Sequence, residues 1–428
     1  YALGLLGDSE RKSVEPMAAR VHPQNVRSAH QSMHHLVADA EWNDTALLAA
    51  VAREVVPVLT QAGIVPCFWI LDDTGYRKYG KHSVGVARQY CGQVGKTDNC
   101  QAAVSLSMAT AEGSLPLAYR LYLPKEWTDD APRCARAGIP EHIGFATKGE
   151  IAWKQIEAAL AAGIPLGPIL MDAGYGDEAA LRDRLRAQEL PYAVGIKPAT
   201  GVWWDMHQPA SAPEQSRGRP RTRVLRDDAH QPIGVLELAQ TLPAAAYRTV
   251  TWREGSNAPL RSRFARVRVR AAQGNHPRDE EWLLIEWPKG QAKPTRYFLS
   301  TLSADMSLKE LVAIVKMRWR IEQDYRELKQ EVGLGHYEGR NWRGFHHHAS
   351  LCIAAYGFLM LERLSGFKKK AARLKTPAVP EDFLPRGARA DAAARPMVHR
   401  QRPLPSGSNH RTKSSTVPLL RKAVRGTI

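Results

Sequence analysis

The order of strand-like and helix-like stretches between residues 66 and 196 constrains the fold of this chain more than any other feature. Short apolar or β-branched runs predict strands, whereas apolar residues that recur at the helical period, as at Trp153, Ile156 and Leu160, predict helices. The predicted elements are strands at 66–71, 101–110 and 114–123, a helix at 148–162, a strand at 168–171, a helix at 177–188 and a strand at 191–196. This β-β-β-α-β-α-β order predicts an α/β fold in which helices flank a mixed sheet.

Two of the predicted strands end in acidic residues. The first is followed by Asp72, Asp73 and a Thr-Gly pair, and the other by Asp172. A buried strand delivers such an acid to its carboxyl end, although acids before glycine also cap helices and form turns. Asp72 and Asp73 compete for the first position, because alternation places them on opposite faces of the strand. We favour Asp73, which adjoins Thr74, although the period alone does not tell which face is inward.

A third candidate acid lies on a predicted helix from about Ser307 to Glu331, which contains no Gly or Pro. Arg318, Glu322 and Lys329 are spaced by four and seven residues and therefore share one side of that helix. A carboxylate between two cations suits a nuclease, in which the acid binds a metal and the cations bind phosphates. The same spacing also occurs on solvated helix faces with simple ion pairs.

Together these features resemble the bacterial insertion-sequence transposases of the DDE type that carry a Tyr-x2-Arg-x3-Glu-x6-Lys signature. Arg318, Glu322 and Lys329 match its last three positions, whereas Val315 stands where the tyrosine is expected. Asp73-Thr74 and Met171-Asp172 resemble the surroundings of the first two catalytic acids in this family. Residues 10–18 resemble the N-terminal region of one of its branches, and the resemblance extends from about Leu5 to Arg343.

The resemblance implies an RNase H-like catalytic domain with acids on its first and fourth strands and on a later helix. Asp73, Asp172 and Glu322 are then the catalytic residues, and they bind two Mg²⁺ ions for which Mn²⁺ substitutes. Arg318 and Lys329 are expected to bind DNA phosphates beside the cut. The expected partners are double-stranded DNA, as terminal inverted repeats and as target, and a second copy of the chain in a synaptic homodimer.

Between the second and third acids, the sequence predicts a β-rich domain that interrupts the catalytic fold. In relatives, an aromatic residue of this insertion stacks on a flipped DNA base, and Trp252, followed by Arg253, is the candidate here. A buried position in the sheet is the alternative for Trp252. The strand-like stretches are 233–239, 247–253, 264–270, 282–287 and 296–300, and breaks rich in Pro, Gly and Ser lie at 209–220 and 255–259.

The predicted organisation has five parts. Relatives carry a helical DNA-binding region at the N-terminus, and the segment from Arg11 to Asp39 is expected to be its remnant, in a chain that starts at Tyr1 without Met. The parts are a helical N-terminal region (1–64), the first part of the catalytic domain (65–200), the β-rich insertion (201–303), the C-terminal helices of the catalytic domain (304–365) and a basic tail (366–428).

Charge is distributed unevenly along the chain. Lys and Arg number 60 against 43 Asp and Glu, which gives a net charge of +17 and predicts a polyanionic partner. Fifteen Lys and Arg against three acids lie from residue 366 onward, so the tail carries +12 and only +5 remains for the rest. The tail lacks a sustained apolar period and is predicted to be disordered. It is expected to add salt-dependent DNA affinity, or else to be a divergent end.

Cysteines, histidines and hydropathy indicate the compartment of the protein and argue against a metal-binding histidine cluster or a membrane span. The five cysteines form no CxxC pair, which suits a reducing cytoplasm, and the adjacent His346, His347 and His348 are expected to be structural. No stretch reaches the roughly 18 apolar residues of a membrane span, and no signal peptide is visible. We therefore expect a cytoplasmic, nucleoid-associated protein without a membrane partner.

The function predicted from these observations is cut-and-paste transposition, in which strands are cleaved and transferred by metal-dependent phosphoryl transfer. Two alternatives remain open. One is a transposase-derived DNA-binding regulator without catalytic activity. The other is an unrelated glycosidase that uses paired carboxylates, which would need no metal and would leave Arg318 and Lys329 without a role.

Overall fold

The structure is a computed structural model that describes residues 1–61, 63–204, 230–255, 258–274 and 278–375, with side chains up to residue 366. The helices are α1 (Ala2–Leu6), α2 (Val14–Val21), α3 (Val26–Ala38), α4 (Asp44–Leu59), α5 (Lys125–Thr128), α6 (Ala131–Arg136), α7 (Lys148–Ala161), α8 (Ala173–Gly176), α9 (Ala179–Ala187), α10 (Val235–Thr241), α11 (Leu308–Lys316), α12 (Trp319–Gln330) and α13 (Trp342–Lys375). The strands are β1 (Phe68–Arg77), β2 (Ala87–Cys91), β3 (Lys96–Ala109), β4 (Ser114–Leu121), β5 (Ile169–Met171), β6 (Tyr192–Ile196), β7 (Gly201–Trp203), β8 (Ile233–Gly234), β9 (Arg248–Arg253), β10 (Leu260–Ala271), β11 (Glu280–Glu286) and β12 (Arg296–Ser300).

All of these strands join one mixed sheet in the order β2-β3-β1-β5-β6-β12-β11-β10-β7-β8. Strand β4 pairs with the second half of β3, and β9 pairs with β10. The neighbours β1, β5 and β6 run parallel, whereas β3 and β12 run antiparallel to β1 and β6. The prediction of an α/β fold with a mixed sheet and flanking helices is therefore confirmed.

The first half of the chain contains the predicted elements in the predicted order. Strand β1 continues past the acids to Arg77, and β3 begins five residues before its predicted start. Strand β2 was not predicted, because its sequence Ala-Arg-Gln-Tyr-Cys has no β-branched residue and pairs only with the first part of β3. Helix α7 begins at a capping box in which Thr147 and Glu150 exchange side-chain and backbone hydrogen bonds.

The strands of the predicted β-rich insertion extend the central sheet. Strand β12 pairs directly with β6, and β11 and β10 follow. The predicted strand at 233–239 is wrong beyond Gly234, where α10 begins. Val235, Leu238 and Ala239 are buried at the helical intervals of three and four, so the apparent alternation was the face of a short helix. The predicted break at 209–220 lies outside the described residues.

The single helix predicted from Ser307 to Glu331 is wrong, because α11 ends at Lys316 and α12 begins at Trp319. At the junction the backbone N–H groups of Met317, Arg320 and Ile321 donate to carbonyls three residues back instead of four. Such a tightened 3₁₀ turn inside a helical sequence marks a local break. Arg318 lies at this turn.

The two faces of the sheet differ in what covers them. Ile70, Leu170 and Ala193 of the three parallel strands pack in one apolar cluster with residues of α11 and α12, including Val315 and Tyr325. The alternate residues of the same strands point to the other face, which α7 covers. Val315, which stands at the tyrosine position of the signature, thus lies on the buried face of α11, in this apolar cluster.

The N-terminal helices pack against α13 through the histidine triplet. His347 lies within hydrogen-bonding distance of the Val37 and Trp42 carbonyls, and His348 of the Tyr1 hydroxyl and the Gly333 carbonyl. The three histidines are buried, which agrees with the structural role expected for them. In the part of the chain that the structure describes, no helix is long and apolar enough to cross a membrane.

Candidate active site

The candidate site lies where β1 and β5 end. These strands are parallel neighbours, with Ile70 opposite Leu170, so Asp72 and Asp172 follow two residues later in matching register. Residues in matching register on parallel strands point to the same face. That face is the one covered by α12, which carries Glu322. Three carboxylates from two strands and one helix therefore converge at this edge of the sheet.

Arg318 joins two of the three carboxylates. Its Nη1 lies 2.5 Å from Asp72 Oδ2, and its Nη2 lies 3.0 Å from Glu322 Oε1. Burial alone would lower the pKa of Arg318, but Asp72, Asp172 and Glu322 outweigh that effect and raise it. The guanidinium is thus a fixed positive charge among three acids, and it lies between Asp72 and Glu322.

Asp72 is the most deeply buried acid of the group. Only 8% of the residue is exposed, and its Oδ1 accepts a hydrogen bond from the Asp73 backbone N–H. Burial raises the pKa of Asp72 to about 7, and the charge of Asp172 adds to this rise while Arg318 opposes it. Because burial disfavours the charged form of Asp72, a nearby cation such as Arg318 or a metal ion stabilises that form strongly.

Asp73 points to the opposite face of the sheet. Its carboxylate forms an ion pair with Lys148 at the start of α7, and neither side chain is fully buried. Alternation along β1 separates it from Glu322 and Arg318, which contact Asp72 instead. The structure therefore brings together Asp72, Asp172 and Glu322, and it does not bring Asp73 onto their face.

Asp172 also caps a helix. Its Oδ1 accepts hydrogen bonds from the backbone N–H groups of Gly174 and Tyr175, at 2.8 and 3.3 Å. One oxygen thus fixes the carboxylate at the start of α8, which leaves Oδ2 free of these capping bonds. The capping role that the sequence left open is therefore observed, and it orients the acid.

Lys329 reaches the same strand as Arg318. Its Nζ donates a 2.9 Å hydrogen bond to the Gly75 carbonyl of β1 and lies 4.7 Å from the centre of the Tyr76 ring. Burial lowers the pKa of Lys329 to about 8. The two signature cations therefore contact β1 on either side of Thr74.

Trp252 and Arg253 lie near the junction of α11 and α12. The Trp252 ring is half-buried, meets Phe264 edge to face at 5.8 Å and has Lys316 Nζ 4.5 Å from its centre. The exposed Arg253 guanidinium lies 3.7 Å from the centre of the Trp319 ring. The buried-sheet alternative for Trp252 is thus partly observed, since one side of its ring is in the core.

Two positions near the acids were not singled out from the sequence. Lys148, the partner of Asp73, follows the Thr147 cap, and a capping box with a cation at the first helical position was the available signal. Tyr325 of α12 is hydrogen-bonded to Ser105 of β3 at 2.8 Å and had no signal beyond its helical spacing. Among the described residues, no group of three or more His, Cys, Asp or Glu side chains has the arrangement needed to hold a metal ion.

Comparison with known proteins identifies the family of this chain. A family model described as DDE superfamily endonuclease matches residues 1–259, which is more than half of the chain, and the chain belongs to this family. The predicted resemblance to DDE enzymes is thereby confirmed. The match includes Asp72, Asp73 and Asp172 but ends before α11, so Arg318, Glu322 and Lys329 lie outside it.

Two individual proteins also resemble this chain. A probable transposase for insertion sequence element IS701 from Microchaete diplosiphon is 28% identical over 175 residues, which are 41% of this chain and 41% of that relative. A cryo-EM structure of a piggyBac transposase synaptic complex with hairpin DNA covers 73% of this chain and 55% of its own, with 10% identity and a TM-score of 0.36. A likeness that distant carries no argument about the site.

Proposed function

We propose that this chain is a DNA transposase that cleaves strands at the terminal inverted repeats of an insertion sequence and transfers them to target DNA. The observation that carries the proposal is the convergence of Asp72, Asp172 and Glu322 around Arg318 at one edge of the sheet. Membership of the DDE endonuclease family and the local similarity to a probable transposase support it. The order of β4-β3-β1-β5-β6 supports an RNase H-like core.

The catalytic acids in this proposal are Asp172, Glu322 and one member of the pair Asp72 and Asp73. The sequence favoured Asp73. The strand register and the contact between Asp72 and Arg318 support Asp72 instead, because both place it on the face of α12. Asp73 with its Lys148 partner stays a candidate that substitution can test.

The donor chemistry of these residues fits a divalent metal. All three acids offer only oxygen ligands, which Mg²⁺ and Mn²⁺ prefer. In this structure the Arg318 guanidinium lies between Asp72 and Glu322, so a metal ion held by both acids would have to displace it. When bound, a pair of Mg²⁺ ions would make the attacking water or 3′-hydroxyl more acidic and stabilise the departing 3′-oxygen.

The other residues of the site would position DNA. Arg318 and Lys329 would bind phosphates beside the scissile one, which requires Arg318 to exchange an acidic partner for a phosphate oxygen. Arg253 is exposed and would contact the backbone, and Trp252 would stack on a flipped base through the part of its ring outside the core. Synapsis of two transposon ends would need a homodimer on double-stranded DNA, at the nucleoid.

The test is cleavage of an end-labelled duplex that carries the terminal repeat, in Mg²⁺, Mn²⁺, Ca²⁺ or EDTA, with wild type and Asp172→Ala. We expect cleavage at the repeat end in Mg²⁺ or Mn²⁺ only, lowered by orders of magnitude in Asp172→Ala while DNA binding persists. Specific binding without cleavage in any metal would favour the inactive regulator. Glycosidase activity in EDTA would favour the unrelated hydrolase.

A further inference from the structure

The stretch that follows the first pair of acids contains no acidic residue. From Thr74 to Thr97 the sequence has five Lys and Arg and no Asp or Glu. The whole chain has 43 acidic residues in 428, about one in ten, so this stretch of 24 residues is depleted in acidic residues as well as basic. A local positive charge of this kind attracts polyanions whatever the charge elsewhere in the chain.

In the fold this stretch forms the end of β1, a loop at 78–86, β2 and the hairpin turn into β3, and we call residues 77–97 the basic ribbon. Many of its side chains face solvent. Tyr79 is 92% exposed and Tyr90 is 63% exposed, although tyrosine rings usually lie partly buried. The exposed cations of the ribbon are Arg77, Lys81, Arg88 and Lys96.

The loop of the basic ribbon is held by hydrogen bonds to its backbone carbonyls, and of its side chains Arg77 and Lys78 already contact the Asp98 carboxylate and the Tyr337 carbonyl. Asn99 Nδ2 donates to the carbonyls of Lys78 and Gly80, at 2.6 and 3.0 Å. Gln101 Nε2 donates to the Val84 carbonyl at 2.6 Å, and Trp127 Nε1 donates to the Val86 carbonyl at 2.8 Å. A loop anchored in this way loses little conformational entropy on binding, so its exposed groups are preorganised.

Part of the basic ribbon lies on the same face of the sheet as the candidate active site. Ser105 of β3 is on that face, since its hydroxyl is hydrogen-bonded to Tyr325 of α12. Asn99 and Thr97 lie an even number of residues from Ser105 and therefore share its face. Their partners across the β2–β3 pair are Arg88 and Tyr90. Directly paired residues of antiparallel strands share a face, so these two side chains do as well.

The strand register also gives the distance between Asp72 and these residues of the basic ribbon. Ser105 pairs with Asp72, and Thr97 lies eight residues before Ser105 on the same strand. At about 3.3 Å per residue, Thr97, the partner of Tyr90, is about 26 Å from Ser105, and Asn99, the partner of Arg88, is about 20 Å from it. DNA rises about 3.4 Å per base pair along each strand, so these distances correspond to about six to eight base pairs.

We infer that the basic ribbon binds the phosphate backbone of duplex DNA about six to eight base pairs from the scissile phosphate. Lys81 and Arg88 supply charge to phosphate oxygens, and the exposed hydroxyls of Tyr79 and Tyr90 supply further donors. A duplex is the partner because the proposed substrate is the double-stranded terminal repeat, which continues past the cleavage point. The inference rests on the proposed function and assigns a backbone-binding surface that the catalytic residues do not include.

The experiment measures duplex binding by fluorescence anisotropy over a series of salt concentrations. The variant is Lys81→Gln with Arg88→Gln, and the probes are two 40-bp duplexes, one with the terminal repeat at its end and one unrelated. The control is Lys154→Gln with Lys309→Gln, which removes two exposed cations from α7, on the other face, and from the start of α11. Melting temperatures of all proteins verify folding.

We expect the ribbon variant to bind at least tenfold more weakly at low salt, with a salt slope shallower by about two, because each lost phosphate contact removes about 0.9 from the slope. The control should keep the wild-type affinity and slope. Weaker binding to both duplexes would assign the ribbon to general backbone binding. Weaker binding to the repeat duplex alone would assign it to the transposon end. Tyr79→Phe should add a smaller loss through its missing hydroxyl.

A second probe tests the predicted distance. Duplexes that extend 4, 8 or 12 base pairs from the cleavage point should gain affinity for wild type between 4 and 12, and the ribbon variant should not gain. If the ribbon variant matches the control in affinity, slope and length dependence while wild type binds and cleaves, the inference is wrong and the proposed function stands. If wild type binds neither duplex, the proposed function itself fails.

Discussion

Asp72 and Asp73 are adjacent on β1 but lie in different environments, because their side chains point to opposite faces of the sheet. Asp72 is buried beneath α12, where burial raises its pKa to about 7 and Arg318 balances its charge. Asp73 lies one residue further on the opposite face, half-exposed and paired with Lys148. Sequence spacing cannot rank two adjacent acids, whereas the side of the sheet on which Glu322 lies favours Asp72 in the proposed site.

Substitution of each acid by its amide tests this ranking. We expect Asp72→Asn to lower strand cleavage by at least about a thousandfold, because it removes a charged oxygen ligand from the face of Glu322. Asp73→Asn should change cleavage less than about tenfold, since it removes only a partly exposed ion pair. Both variants should be compared at equal folded fraction and equal DNA occupancy. The reverse ranking would restore Asp73 as the first acid.

Stability at low pH should depend on the buried histidines of α13. Burial lowers the pKa of His348 to about 4, below the ordinary 6.5, so the unfolded chain takes up a proton before the folded one does. Its contribution to stability is therefore complete above pH 6.5 and is lost as pH falls toward 4. At pH 5 the loss is about 2 kcal/mol.

Urea unfolding at pH 7.5 and pH 5.0 measures this effect. The free energy of unfolding of wild type should fall more between the two values than that of His348→Gln, which cannot titrate. Arg27→Gln, an exposed substitution on α3, serves as the matched control and should follow wild type. An equal fall in wild type and His348→Gln would show that His348 is not the titrating group.

At the scale of elements, the break between α11 and α12 determines the position of Arg318. The turn at Met317 and Arg318 lets α11 lie on β9 and β10 while α12 passes over β1 and β3. Helix α11 is tied to the sheet by the ion pair of Lys316 Nζ and Glu286 Oε2, at 2.6 Å, with side chains 10% and 7% exposed. Removal of one partner of such a buried pair leaves an uncompensated charge.

We expect Lys316→Met to destabilise the protein by about 3 kcal/mol, because Glu286 would remain buried without its partner. The double variant Lys316→Met with Glu286→Leu should regain most of that loss. A double-mutant cycle by urea unfolding measures the coupling, with the exposed pair of Arg343 and Glu41 as control. Additive effects at Lys316 and Glu286 would contradict a coupled, buried pair.

At the scale of the whole molecule, one sheet connects the two regions that the sequence divided. The edge of β6 is covered by β12, and every residue of β6 is buried. A fragment that ends near residue 200 would expose this apolar edge. The strands β1, β5 and β6 and the strands of the predicted insertion should therefore depend on each other for stability.

Expression of residues 65–200 alone tests this dependence. We expect the fragment to aggregate or to lack a cooperative thermal transition, whereas the full chain should unfold these regions together. Hydrogen exchange of β6 and β12 in the full chain should report similar opening free energies. A soluble fragment with a cooperative transition of its own would instead support the division at residues 65–200 and 201–303.

Local patterns sufficed for much of the fold. The strands β4, β5, β6 and β12 and the helices α7 and α9 were predicted within a few residues, because their apolar periods and caps are contained in short stretches. Strand β2 and helix α10 were missed because their sequences are short and their patterns are ambiguous without neighbours. The DDE family was recognised from three spaced residues and two acidic strand ends, and the family match agrees.

By itself, the sequence determined the order of most elements and the family, and it proposed the residue types of the candidate site, since these depend on composition and spacing along the chain. Tertiary structure alone decided that Asp72 faces α12, that Arg318 joins it to Glu322 and that β12 pairs with β6. The physical reason is that alternation gives each strand two equivalent faces. Only packing against the rest of the molecule decides which face is buried and which acids meet.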